Sequence, residues 1–230
     1  MRYLQVFVVI YCLYINDILG ETVSAETTFY GARDNCPPGG DIAYPQIHNK
    51  AGGNGTYKDP ITYAGCREAT KPGTIIYVNF LQKYFIMEDD CEECDHDWIS
   101  RKKWHFDLWM GPDNVTPGDY LVACEDAMTK SSTTVIIDPP NNLAVNMKPL
   151  FNGTSLQCWE TNPPPCTTNH PNNCGNLCEI PHSGTCQQIA NELLLNLTRF
   201  EQLNPDLHCR DGSTLIPAGT SVCMGGPCGD

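Results

Sequence analysis

Residues 102–111, KKWHFDLWMG, set a histidine and an aspartate among large apolar side chains. A carboxyl group in apolar surroundings holds its proton to higher pH, which is what a general acid requires. Asp107 is therefore the first candidate for chemistry. In an extended strand His105, Asp107 and Trp109 share one face, and Trp104, Phe106 and Leu108 share the other. The all-apolar set is expected to be core. The mixed set offers an acid, an imidazole and an aromatic ring able to stack on a sugar. The plainer reading of Asp107 is a solvated carboxylate on a polar strand face.

The run EDDCEECDHD, residues 88–97, is the next dense cluster. A CxxC followed by Asp95, His96 and Asp97 has zinc-ligand chemistry. No second CxxC stands at finger spacing, so disulfides to other cysteines are the expected use, and no metal or other cofactor is implied. Asp89 and Asp90, at the end of a strand-like run, either raise the Asp107 pKa by like-charge repulsion or face solvent. No GxSxG motif occurs, and nucleophilic catalysis has no other support.

These residues need a scaffold. The chain opens with Met1-Arg2, an apolar stretch and a small-residue site at residues 23–25, read as a secretory signal over residues 1–25. The protein is then expected to be secreted, extracellular and soluble, with residues 26–230 as the mature chain. The whole sequence carries 14 basic and 27 acidic residues, a net charge of −13. Such acidity argues against nucleic acid and anionic membranes as partners. Of the 14 cysteines, only Cys12 leaves with the signal. The remaining number is odd, so disulfides are expected with at least one thiol free or paired outside the chain. Asn54, Asn114, Asn152 and Asn196 head N-x-S/T sequons and are candidate glycosylation sites. The chain is expected to be a monomer.

Residues 26–138 read as short strands cut by Gly, Pro, Asn and Asp. The strand candidates are TTFYG, TIIYVNF, KYFIMED, WHFDLWM, YLVAC and TTVIID. Without alternating helices, they favour a closed barrel or sandwich. Residues 139–176 are rich in Pro and Asn and read as an extended linker. In residues 177–228, CQQIANELLLNLTRFEQLNPDL has helical spacing, with Thr198 as a candidate cap and Pro205 as a stop. Strand-like stretches flank it, giving a small βααβ unit stapled by disulfides.

The stretches SGTCQQIA, FEQLNPDL and IPAGTSVCMG resemble a LysM domain of the fungal type. That resemblance implies binding of N-acetylglucosamine chains between two loops, Gly184-Thr185 and Asn204-Pro205-Asp206-Leu207. TTFYG, FIMEDDCEEC and WHFDL, in that order, resemble a six-stranded double-psi β-barrel of the expansin and glycoside hydrolase family 45 kind. The fold class implied is mainly β: this barrel followed by the LysM unit. The resemblance makes Asp107 the general acid and puts His105, Trp109, Tyr30 and Asp90 at the substrate groove. Family 45 enzymes carry a base in a T-x-Y-x-D motif, and here Ala32 stands at that place, with Asp34 the first aspartate after it and Asp41 further on. Asp34 is the candidate base. Lytic transglycosylases with double-psi barrels use a single acid and need none.

Two functions follow. One is a secreted protein that cleaves β-1,4-linked polysaccharide containing N-acetylglucosamine, peptidoglycan or chitin. The other is a non-catalytic, expansin-like or effector-like protein that binds the same cell-wall polysaccharide and breaks no bond.

Overall fold

The computed structural model describes residues 20–32, 35–111, 118–160 and 176–225. Asp34, Asn114 and residues 161–175 of the Pro/Asn-rich segment lie outside the described residues.

Six strands close into a barrel: β1 (Glu21–Tyr30), β2 (Ile61–Gly65), β3 (Ile75–Val78), β4 (Lys83–Asp90), β5 (Trp104–Trp109) and β6 (Lys130–Ile137). Their order around the barrel is β1-β5-β2-β4-β3-β6. The β2–β4 pair is parallel, whereas β1–β6, β2–β5, β3–β4 and β3–β6 are antiparallel. Closure leaves no free sheet edge. Phe106 and Leu108 are buried, as expected of the apolar face of β5, and the Phe106 ring meets Tyr63 edge-on at 5.5 Å. β2 was not among the strand candidates, because ITYAG is short and ends in small residues.

Two helices depart from the all-strand expectation. Helix α1 (Glu92–Arg101) follows Cys91, whose Sγ accepts from the Cys94 N–H at 3.1 Å. Its first turn carries Glu92, Glu93 and Asp95 and its last turn Arg101, the charge order the helix dipole favours. Cys91 and Cys94 bond to each other, so the CxxC does not reach other cysteines as expected. Helix α2 (Gly118–Met128) contains YLVAC, expected as a strand. Leu121, Cys124, Glu125 and Met128 are all buried, and their spacing of three and four residues is a helical stripe. Five residues were too short a window to show that period.

The fold divides into two compact units. Among the described residues the first spans 20–29, 41–109 and 128–150 and holds the barrel. Within it residues 140–146 are tied to the wall. Tyr84 donates to the Pro140 carbonyl at 2.7 Å, Tyr77 to Ala144 at 2.7 Å and the buried Lys83 to Asn146 at 2.6 Å. The second unit, described over residues 30–32, 35–40, 110–111, 118–127, 151–160 and 176–225, contains the short strands β7 (Phe151–Asn152) and β8 (Gln157–Cys158) and a helical layer. There β9 (Asn176–Glu179) pairs antiparallel with β12 (Ser221–Gly225), and β10 (Gly184–Thr185) with β11 (Leu215–Ile216). Helices α3 (Cys186–Glu192) and α4 (Leu197–Leu203) lie between them in sequence. Ile189, Leu193, Phe200, Ile216 and Val222 form the core of this part. Cys186–Cys209, Cys36–Cys178 and Cys124–Cys158 staple the second unit. The α4 cap is Asn196, which accepts from the Arg199 N–H at 2.8 Å, in place of the expected Thr198. Among the described residues Cys66 is the free cysteine, buried at the end of β2, and no helix is long and apolar enough to cross a membrane.

The loop between β1 and β2 is fastened to the barrel through Glu88 of β4, which is fully buried. Its Oε1 accepts from the backbone N–H groups of Gln46, Ile47 and His48 at 3.1, 2.8 and 2.9 Å. Its Oε2 meets the Thr62 hydroxyl at 3.0 Å and His48 Nδ1 at 2.6 Å, while His48 Nε2 meets Asp59 at 3.0 Å. Burial opposes charge on both partners, but the hydrogen bonds win: the Glu88 pKa is lowered and the His48 pKa is raised. The Glu88 contribution is full above its ordinary 4.5 and is lost as pH falls through its lower folded value. The His48 contribution is full below its ordinary 6.5 and is lost as pH rises through its higher folded value. Stability from this cluster should therefore peak between the ordinary values 4.5 and 6.5. Glu88→Ala should cost about 3 kcal/mol or more, because it strands a part-buried imidazole and three amides. Urea denaturation of both proteins from pH 4 to 8 checks the loss and its pH dependence.

Candidate active site

The barrel order puts β1, β5, β2 and β4 side by side, and one row of residues crosses them. Asp107 of β5 pairs with Ala64 of β2, and Ala64 pairs with Asp89 of β4. Registered neighbours point to the same face, so Asp107 and Asp89 share a face with only a methyl group between them. At the other end of the row, Thr28 of β1 donates to Asp107 Oδ1 at 2.7 Å. Asp90 pairs with Gly65, which pairs with Phe106, so Asp90 belongs to the opposite face and does not join Asp107 as expected. It is exposed and accepts from the Tyr44 hydroxyl at 3.0 Å.

The two carboxylates in the row differ in access. Asp107 is half-buried. Asp89 is 9% exposed, and its Oδ1 accepts from the Ala43 and Asp90 N–H groups at 3.0 and 2.9 Å. Two strand spacings, about 9.5 Å, separate their backbones. The burial of Asp89 does not suit a carboxylate that must activate water for inversion. Asp41 is strongly exposed and its carboxylate lies 3.7 Å from Lys50.

His105 is not on an open face. Its side chain is 3% exposed because α1 covers it. Nδ1 lies 3.1 Å from Asp97 Oδ2, and Nε2 lies 3.0 Å from the Thr28 hydroxyl. Asp97 is bound in turn by Lys103, at 3.0 Å, and by Arg101 one helical turn on, and Lys103 also binds Glu26. Burial pushes the Asp97 pKa up, but hydrogen bonds from Lys103 and Arg101 and their charges outweigh it and hold the carboxyl down to about 2. Glu26, Asp97 and His105 bring their donor atoms within 4.8 Å of one another, a spacing a cation could use. The Lys103 ammonium already bridges the two carboxylates, so this cluster has its cation built in.

Burial corrects several expected contacts. Trp109 and Tyr30 are 5% and 7% exposed, so neither ring offers an open face to a sugar. Among the expected loop residues of the second unit, Thr185 is spent on a reciprocal capping box with Gln188. Asn204 donates to the Phe200 and Cys223 carbonyls at 3.0 and 2.9 Å and accepts from the Cys223 N–H at 2.7 Å. Both residues hold helices in place. Gly184 packs closely on the core, since a Cβ there would lie 2.9 Å from Ile189 Cδ1, which would have to shift. Leu207 packs partly on the core, whereas Pro205 and Asp206 are exposed.

Thr28, Lys103 and Glu26 were missed by sequence reading, and Asp97 was weighed only as a zinc ligand. The Asp97-Arg101 spacing was a visible helical i,i+4 pair, but nothing in sequence linked it to His105. The Asp97 contribution to stability should be full above its ordinary 3.8 and fade as pH falls towards about 2. Asp97→Ala leaves Arg101 and the His105 imidazole without their anion and Lys103 with Glu26 alone, and should cost about 3 kcal/mol at neutral pH. Thermal denaturation against the parent protein measures it, and a near-zero change would show that the helix does not depend on this anchor.

The uncharacterized protein DDB_G0273701/DDB_G0273221 of Dictyostelium discoideum is 46% identical over 217 residues, covering 94% of this chain and 93% of the relative. No solved structure matches the chain. A family model described as the DDB_G0273701 N-terminal domain matches residues 22–159, which span all six barrel strands but for the first residue of β1. The chain therefore belongs to the DDB_G0273701 N-terminal domain family.

Proposed function

We propose that this is a secreted cell-wall glycan-binding protein whose barrel cleaves β-1,4-linked polysaccharide containing N-acetylglucosamine, peptidoglycan or chitin, with Asp107 as general acid. The observation that carries the reading is the row Thr28-Asp107-Ala64-Asp89, in which Asp107 is the accessible carboxyl. A closed six-stranded barrel with interleaved order and a parallel β2–β4 pair supports the double-psi resemblance. The order β9, α3, α4, β12 with its disulfide supports the LysM resemblance. A binding unit tethered to a catalytic one raises the local concentration of a polymeric substrate. The burial of Asp89 favours single-acid chemistry, as in lytic transglycosylases, over hydrolysis by two carboxylates.

Disulfides support export. In the sequons at Asn54 and Asn196, both exposed, and at Asn152, the side-chain oxygen accepts from the backbone, which leaves the amide nitrogen for a glycan. Cleavage after Ala25 would remove residues 21–25, which pair with residues 133–137 of β6. N-terminal sequencing of secreted protein should thus find a start at or before Glu21, and a start at Glu26 would show that the barrel closes without half of β1.

Intact protein and its Asp107→Asn variant, incubated with peptidoglycan and with chitin oligomers, should differ by mass spectrometry. New chain ends are expected from the parent and a loss of about 100-fold or more in the variant. No new ends from the parent leave the non-catalytic, glycan-binding reading. Equal products from both remove Asp107 from the chemistry. Failure to sediment with either insoluble polymer removes glycan binding itself.

A further inference from the structure

Thr28 stands between two groups that can each hold a proton. Its Oγ1 lies 2.7 Å from Asp107 Oδ1 and 3.0 Å from His105 Nε2. The other imidazole nitrogen lies 3.1 Å from Asp97 Oδ2. Asp97 is an anion across the working range, so Nδ1 must carry a hydrogen to bond it. A threonine hydroxyl has one hydrogen to give. If it goes to Asp107, the contact with Nε2 is a hydrogen bond only when Nε2 is protonated as well, and an imidazolium then faces a carboxylate across Thr28. If it goes to Nε2, Asp107 must carry the hydrogen that meets Thr28 Oγ1, and the imidazole is neutral. The two arrangements hold the same number of protons. They differ by two short transfers, Nε2 to Oγ1 and Oγ1 to Oδ1, with no heavy-atom bond changed and no co-reactant needed. Without the shared proton, Thr28 can satisfy only one of its neighbours.

We propose that Asp107 and His105 share one proton through Thr28, and that the imidazole is the reserve from which the acid is recharged. The groups around the ring are consistent with this. Glu26 of β1 lies 3.9 Å from Nδ1, Asp97 and Arg101 come from α1, and Lys103 precedes β5 and bridges Glu26 to Asp97. Two cations and two anions on the Nδ1 side balance, so Asp107 is the counter-charge that an imidazolium sees on the Nε2 side. Thr28, His105 and Asp97 are thus positioning residues for Asp107. The use of the proton on a glycan rests on the function proposed above, but the sharing itself does not.

NMR tests it on the whole protein, following the Asp107 carboxyl carbon and the His105 imidazole nitrogens against pH. A coupled pair titrates in steps that belong to both groups, so each inflection should appear at both nuclei. Thr28→Val keeps a β-branched strand residue but removes the hydroxyl. It should leave one separate inflection at each nucleus, and Thr28→Ser should restore the shared pattern. Should Thr28→Val fail to fold, His105→Gln should reduce Asp107 to a single inflection. Independent inflections in the parent protein, or an unchanged pattern in Thr28→Val, would overturn the proposal. Shared inflections in a protein that cleaves no glycan uphold the proton sharing and sink the function. Cleavage without shared inflections does the reverse.

Discussion

The carboxylate of Asp97 is the anchor on which the candidate site depends. It is almost wholly buried, and an anion there is tolerable only because Lys103, Arg101 and His105 surround it. Through those partners one side chain fixes three things. It holds α1 against β5, sets the tautomer of His105, and aims Nε2 at Thr28. Everything that distinguishes Asp107 from an ordinary strand aspartate passes through this group. Glu88 performs a comparable service on β4, where it gathers three amides, a hydroxyl and an imidazole and so fixes the loop after β1.

Small residues decide what the site can do as much as charged ones. Ala64 separates Asp107 from Asp89 with a single methyl group, and the loop amide of Ala43 then takes up Asp89. The two carboxylates are thereby made unequal: Asp107 is half-buried, and Asp89 is a buried fastener. This asymmetry is what the single-acid reading proposed above rests on.

Much of the local structure was legible in advance. Five of the barrel strands were visible as β-branched and aromatic runs bounded by turn residues, and α3 and α4 as an apolar spacing of three and four. YLVAC misled because a five-residue apolar run has no detectable period, and its helical stripe shows only when Glu125 and Met128 are included. The faces of β5 were separated correctly by alternation, but alternation says nothing of what covers a face. His105 and Trp109 were expected to be open, and both are buried.

The sequence by itself determined the alternation within WHFDLW, the charge order along residues 92–101 that a helix dipole favours, and the cysteine-rich character of the chain. Those are properties of neighbours along the backbone, carried by bond geometry, the helix dipole and composition. Only the tertiary structure decided that Thr28, Ala64 and Asp89 align with Asp107, that Asp97 lies behind His105, and that Cys91 pairs with Cys94. Strand order and register bring residues nearly 80 positions apart to within a hydrogen bond, and register is settled by closing the barrel around its core rather than by any short stretch of residues.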